Sequence, residues 1–120
     1  FEYYKEKISS SQEEFYCIYL DAKKRVIEDE LLFKGTVNHS LIHPRDIFKK
    51  AYSLNAAFIL CVHNHPSGDV NPSIDDINVT KRIKNIGCFK ILYHFYRNNC
   101  INIGRYCNNS QYWILYIFRI

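Results

Sequence analysis

At 120 residues the chain holds one domain, large enough to withdraw about two-thirds of its unfolded surface from water. Hydrophobic residues at 48% and charged residues at 23% are the balance of an ordinary globular domain. The net charge of +4 permits an acidic partner but does not argue for nucleic acid, because no Lys/Arg cluster is interleaved with aromatics; no signal peptide is visible, and no apolar run reaches membrane-spanning length.

Residues 1–12 are polar and read as a frayed or helical segment. Phe15 to Leu20 is aromatic and β-branched and predicts a buried strand. A turn at Asp21-Ala22-Lys23-Lys24 leads to a second, partly exposed strand from Arg25 to Phe33, broken at Gly35-Thr36-Val37-Asn38. Pro44 suits the first turn of a helix. Ile47, Ala51 and Leu54 then share one helical face, with Phe48 and Tyr52 beside them, and Asn55 ends the helix. Ala56 to Val62 is continuously apolar, as in a strand covered on both faces. A loop from Asn64 to Pro72 carries Pro66, Gly68 and Pro72. A second helix follows from Ser73 to about Gly87, with Ile74, Ile77, Ile83 and Ile86 as its apolar set. The order strand, strand, helix, strand, helix predicts an α/β domain: a mixed sheet flanked by helices.

Residues 88–120 differ. They contain no Asp or Glu and are crowded with Tyr, Asn, Ile and Cys. Two readings stand: a divergent pair of strands closing the sheet, or a shifted reading frame that leaves the last strands missing or replaced by a helix. The absence of methionine and the start at Phe1 are expected of a fragment or partial gene product. The five cysteines, Cys17, Cys61, Cys88, Cys100 and Cys107, form no Cys-x-x-Cys. Cys17 and Cys61 read as small core residues, and a reducing cytosol is the default compartment.

The chemistry concentrates in His63-Asn64-His65-Pro66-Ser67-Gly68, followed by Ser73 and Asp76. Two histidines at i and i+2 on extended backbone face the same side and can hold one ion. A carboxylate from the next helix supplies a third ligand. Three protein ligands leave one tetrahedral position open for water, as in a catalytic zinc site. The pair Ser73 and Asp76 has a plainer reading, a variant capping box at a helix start, with the acid favoured by the helix dipole.

The unbroken string His-x-His-Pro, six residues, Ser, two residues, Asp resembles the metal-binding signature of the JAB/MPN (JAMM) metallohydrolases. The stretch from Gly35 to Lys84, "GTVNHSLIHPRDIFKKAYSLNAAFILCVHNHPSGDVNPSIDDINVTKRIK", looks like the bacterial RadC-type branch. The resemblance reaches upstream to about Glu13 and fades after about Gly87, which gives a core of 13–87 between the polar segment 1–12 and the divergent or frame-shifted segment 88–120. RadC-like chains usually carry, in addition, an N-terminal helical segment resembling a helix-hairpin-helix unit, and none is present in these residues.

The resemblance implies a cytidine-deaminase-like JAB/MPN fold and Zn²⁺ held by His63, His65 and Asp76. Its spacing puts ten residues between His65 and the aspartate, which selects Asp76 over Asp75. It implies that Ser73 donates to a developing oxyanion, and that a glutamate before the first core strand is the general base. Glu13 and Glu14 are the candidates; RadC-like sequences usually place the acid two residues before this phenylalanine, which favours Glu13. The plain alternative makes both exposed acids at the strand start. Arg45 reads as an ion-pair residue or a substrate contact. His39, His43 and His94 read as loop or core residues, and Lys49, Lys50, Lys81, Arg82 and Lys84 as solvated helix faces.

The activity so implied is peptide or isopeptide hydrolysis by a zinc-activated water, on an unidentified peptide or protein, in the bacterial cytoplasm and away from membranes. The alternatives are a scaffold or DNA-repair-associated module, whose DNA contact the charge does not support, and an inactive gene remnant. A zinc deaminase is a poor fit, because it requires His-x-Glu with Pro-Cys-x-x-Cys.

Overall fold

The computed structural model describes residues 11–35, 42–67 and 71–86 in full, and the backbone of residues 91–95 and 112–119. The first strand, β1 (Glu14–Leu20), is buried along all seven residues. Its side chains alternate between two cores, as extended backbone requires. Phe15, Cys17 and Tyr19 join one cluster; Tyr16, Ile18 and Leu20 join the other with Val62. Each fully buried large apolar side chain contributes roughly 1.5–3 kcal/mol, so β1 anchors the domain from both sides.

A tight turn leads into β2 (Val26–Lys34), which pairs antiparallel with β1 from Glu14↔Lys34 to Leu20↔Val26. Asp21 organises that turn: its Oδ1 accepts from the backbone N–H of Lys23 at 2.8 Å and of Arg25 at 2.9 Å. Lys24 adopts φ 61°, the left-handed conformation that such a turn needs. Helix α1 (Pro44–Ser53) starts on Pro44 and buries Pro44, Ile47, Phe48 and Ala51. Tyr52, expected beside that face, is instead exposed. Asn55 at φ 51° ends the helix in a left-handed cap.

Strand β3 (Phe58–His65) is longer than its apolar run. The loop expected from Asn64 begins only after His65. The physical reason is β5 (Tyr112–Arg119), whose backbone pairs with β3 along its whole length, from Phe58↔Arg119 to His65↔Tyr112. Helix α2 (Ile74–Ile86) follows, then β4 (Ile91–Phe95), which pairs with β5. The described residues of the segment 88–120 thus form the strands β4 and β5.

The sheet order is β2-β1-β3-β5-β4, and all four pairings are antiparallel. The α/β class is as expected, but the parallel pairing of a mixed sheet is absent among the described strands. Residues of α1 and α2 share one cluster with Phe15, Cys17, Tyr19, Ile59 and Cys61, so both helices cover the same face. Cys17 and Cys61 are buried free thiols opposite each other in the β1–β3 register.

Helix α2 shows a different buried stripe from the one its isoleucines predict. Asp76, Val79, Thr80 and Ile83 face inward, at the i, i+3, i+4, i+7 spacing of a single face. Ile74 (78% exposed), Ile77 and Ile86 point out. The inward face thus begins with a polar residue, Asp76, and the Thr80 hydroxyl on the same face donates to the Asp76 backbone carbonyl at 2.8 Å. Among the described residues no helix is long and apolar enough to cross a membrane.

Candidate metal centre

The site forms where the end of β3 meets the start of α2. His63 and His65 lie two apart on β3 and project to the same face. His63 is fully buried and stacks on Phe15, its β1 register partner, with ring centroids 5.5 Å apart and planes 17° apart. Asp76, 1% exposed, arrives from the first turn of α2. Its Oδ1 lies 3.1 Å from His63 Nε2 and its Oδ2 lies 3.2 Å from His65 Nε2. The two Nε2 atoms are themselves 3.1 Å apart.

These edges test whether a metal fits. Tetrahedral ligands at roughly 2.0–2.1 Å from zinc stand about 3.3–3.4 Å from one another. The Nε2–Nε2 edge of 3.1 Å is within a few tenths of that spacing, and each imidazole has one or other Asp76 oxygen at 3.1 or 3.2 Å. The charges fit as well. Burial pushes the Asp76 carboxyl up, but hydrogen bonds from His63 and His65 outweigh it and hold the group well below the usual carboxylate range. Burial lowers His63, and the Asp76 contact only partly offsets this. Both directions favour an ionised carboxylate and a neutral imidazole, the forms that bind a divalent cation. Glu13 completes the group: one ligand atom each from Glu13, His63, His65 and Asp76 all lie within 4.8 Å of one another.

The family model for the RadC-like JAB domain matches residues 1–92. The chain belongs to the RadC-like JAB domain family. It is 51% identical over 77 residues to a UPF0758 protein of Bacillus velezensis, covering 64% of this chain and 33% of that one. It is 53% identical over 77 residues to one of a Geobacillus species, covering 64% and 34%, and 51% identical over 76 residues to one of Bacillus cereus, covering 63% and 34%. The matched stretch thus spans about a third of these relatives' length.

Within this RadC-like JAB domain the two glutamates before Phe15 part company. Glu13 joins the histidines and Asp76. Glu14 lies on the other face of the strand start, 2% exposed, with its Oε1 2.8 Å from Lys34 Nζ. It is therefore not the exposed acid of the plain reading. Strand alternation separates the two: Phe15 is on the histidine face, so Glu13 is too and Glu14 is not.

The capping reading of Ser73 and Asp76 is seen directly. The Ser73 N–H donates to Asp76 Oδ2 at 2.7 Å, and the Asp76 N–H donates to Ser73 Oγ at 3.1 Å. This is a reciprocal capping box, and it also fixes the carboxylate against the imidazoles. An accepting hydroxyl keeps its own proton to donate elsewhere.

Asp75, His43 and Arg45 are exposed and stand outside the cluster. Gly68 and His39 lie outside the described residues, and of His94 only the backbone is described. Lys50 is not a simply solvated residue. Its Nζ lies 2.7 Å from Glu28 and 3.1 Å from Glu30, and 5.7 Å from the centre of the Tyr19 ring. Asn64, the middle residue of His-x-His, is 1% exposed. Its Oδ1 accepts from the Glu14 N–H at 2.7 Å, and its Nδ2 donates to the Gln12 carbonyl at 3.0 Å.

Proposed function

We propose that the domain is a zinc-dependent hydrolase of peptide or isopeptide amide bonds. The observation that carries this reading is the convergence of Glu13, His63, His65 and Asp76 within 4.8 Å. His63, His65 and Asp76 would hold the ion, leaving a position for water. When bound, zinc supplies a Lewis acid that lowers the pKa of its water toward neutrality.

The residues of the chain provide the rest. The Glu13 carboxylate accepts a proton from the attacking water and returns it to the leaving nitrogen. It suits this role because it is only partly buried and reaches the cluster from the residue before β1, apart from the histidines of β3. The Ser73 O–H, at the exposed start of α2, donates to the oxygen that becomes negative as the carbonyl is attacked. Phe15 stacked on His63 holds the imidazole plane and keeps water from behind it. The substrate class we infer is a peptide or protein amide, and the compartment a reducing bacterial cytoplasm.

The test is metal content and turnover together. The isolated chain should carry one zinc per molecule, and His63→Ala should carry none. The zinc-loaded chain should cleave members of a fluorescence-quenched peptide library or an isopeptide-linked reporter. Equal zinc in the wild type and His63→Ala would remove the reading.

A further inference from the structure

We infer that Asn64 is a positioning residue for Glu13, so that one stretch of β3 sets both the metal ligands and the base. The inference rests on the reading of Glu13 given above. His63 and His65 project to one face of β3, so the Asn64 side chain projects to the other. There it is buried, and both of its polar atoms are used.

What those atoms hold is specific. The Gln12 carbonyl belongs to the peptide plane before Glu13. The Glu14 N–H belongs to the plane after it. Asn64 grips both, at 3.0 and 2.7 Å. The only soft backbone rotations at Glu13 are φ and ψ, which relate these two planes. Fixing both planes fixes the direction of the Glu13 Cα–Cβ bond, from which its side chain starts toward the cluster. The Gly35 N–H donates to the Glu13 carbonyl at 3.0 Å and holds the second plane from the β2 side.

The location explains the need. The β1–β3 register runs from Phe15↔His63 to Leu20↔Phe58, so Glu13 lies beyond the ladder. A side-chain amide takes over where backbone pairing stops. Only an amide does this fully, because one end must accept from N–H and the other must donate to C=O. Aspartate would set a carboxylate oxygen against the Gln12 carbonyl, and alanine would offer nothing.

The test uses Asn64→Ala and Asn64→Asp in the full chain, with Asn64→Ser in place of Ala if that variant does not fold. By NMR, with and without zinc, the wild type should show a nuclear Overhauser contact between the Glu13 side chain and the His65 ring, and a slowly exchanging Glu14 amide. Both should be lost in the variants, while the Phe15–His63 ring contact persists and reports an intact strand. Zinc content should stay at the wild-type level. On a fluorescence-quenched peptide library kcat should fall on the order of 100-fold with KM little changed, as for a base displaced by about 1 Å. In a Glu13→Gln background Asn64→Ala should cost nothing further.

Persistence of the Glu13–His65 contact in the variants would overturn the inference. So would loss of zinc, or an equal cost in the Glu13→Gln background, since Asn64 would then act through the ligands or the fold. If the zinc-loaded wild type cleaves nothing, the hydrolase reading fails, and the NMR arm still decides whether Asn64 orients Glu13.

Discussion

Two acidic clusters in this domain are neutralised in opposite ways. On the helix-covered face, Glu28 and Glu30 of β2 share one ammonium, Lys50, at 2.7 and 3.1 Å. That network is part-exposed, and its cation belongs to the protein. At the end of β3, Asp76 is buried against two imidazoles, one of which burial drives toward the neutral form. Glu13 adds a second carboxylate. A buried carboxylate is costly unless hydrogen bonds or a cation offset its burial. The first cluster carries its own cation, and the second, on the function proposed above, takes one from outside.

The largest effect should come from that outside cation. Chelation should destabilise the zinc-loaded protein by the free energy of binding, about 2.7 kcal/mol when free zinc stands at 100 times its Kd. Calorimetry with and without chelator measures this. The same scan on His63→Ala should show no chelator effect, and a chelator-insensitive wild type would erase the contrast. Asp76→Asn keeps the shape but removes the charge, and it should weaken zinc binding by more than the roughly 10–100-fold that loss of an outer hydrogen-bond partner brings. Competition titration against a chromogenic chelator reads this directly.

The neighbouring glutamates sharpen the same comparison. Glu13→Gln should retain zinc and lose turnover by at least about 100-fold, the usual weight of a general base. Glu14→Gln should retain both zinc and turnover. Its cost should be stability alone, about 1 kcal/mol, because Lys34 is half exposed and returns to water when its partner is neutralised. Loss of turnover in Glu14→Gln with Glu13→Gln active would reverse the assignment.

Much of the cluster was legible because the residues it brings together obey short, local rules. His63 and His65 share a face by strand alternation, and Asp76 follows at the start of the next helix. What escaped was non-local. Asn64 reaches Gln12 across 52 positions, and an asparagine in the middle of His-x-His carries no pattern that announces it. Lys50 meets β2 from another element. The isoleucines of α2 offer a plausible apolar stripe that is not its inward face. The true stripe begins with Asp76, a charge that hydrophobic periodicity cannot count. The length of β3 past Val62 depended on β5, from a segment whose composition also suited a shifted frame.

The smallest expected effect belongs to the cluster that supplies its own cation. Lys50→Met keeps an apolar stem of similar reach over Tyr19 but removes the ammonium. Glu28 and Glu30 lie two apart on β2, so they project to one side and repel once the charge between them is gone. All three side chains are 29–45% exposed, so water screens much of this repulsion. We therefore expect a loss of about 0.5–1 kcal/mol at low salt. The loss should shrink in 1 M salt, where the Debye length is about 3 Å. Zinc content should not change, because Lys50 neutralises a cluster separate from the histidines. Urea melts of both proteins at low and high salt provide the measurement. A salt-independent difference would mean that Lys50 acts by packing on Tyr19, and the two clusters would then no longer differ simply in where their cation comes from.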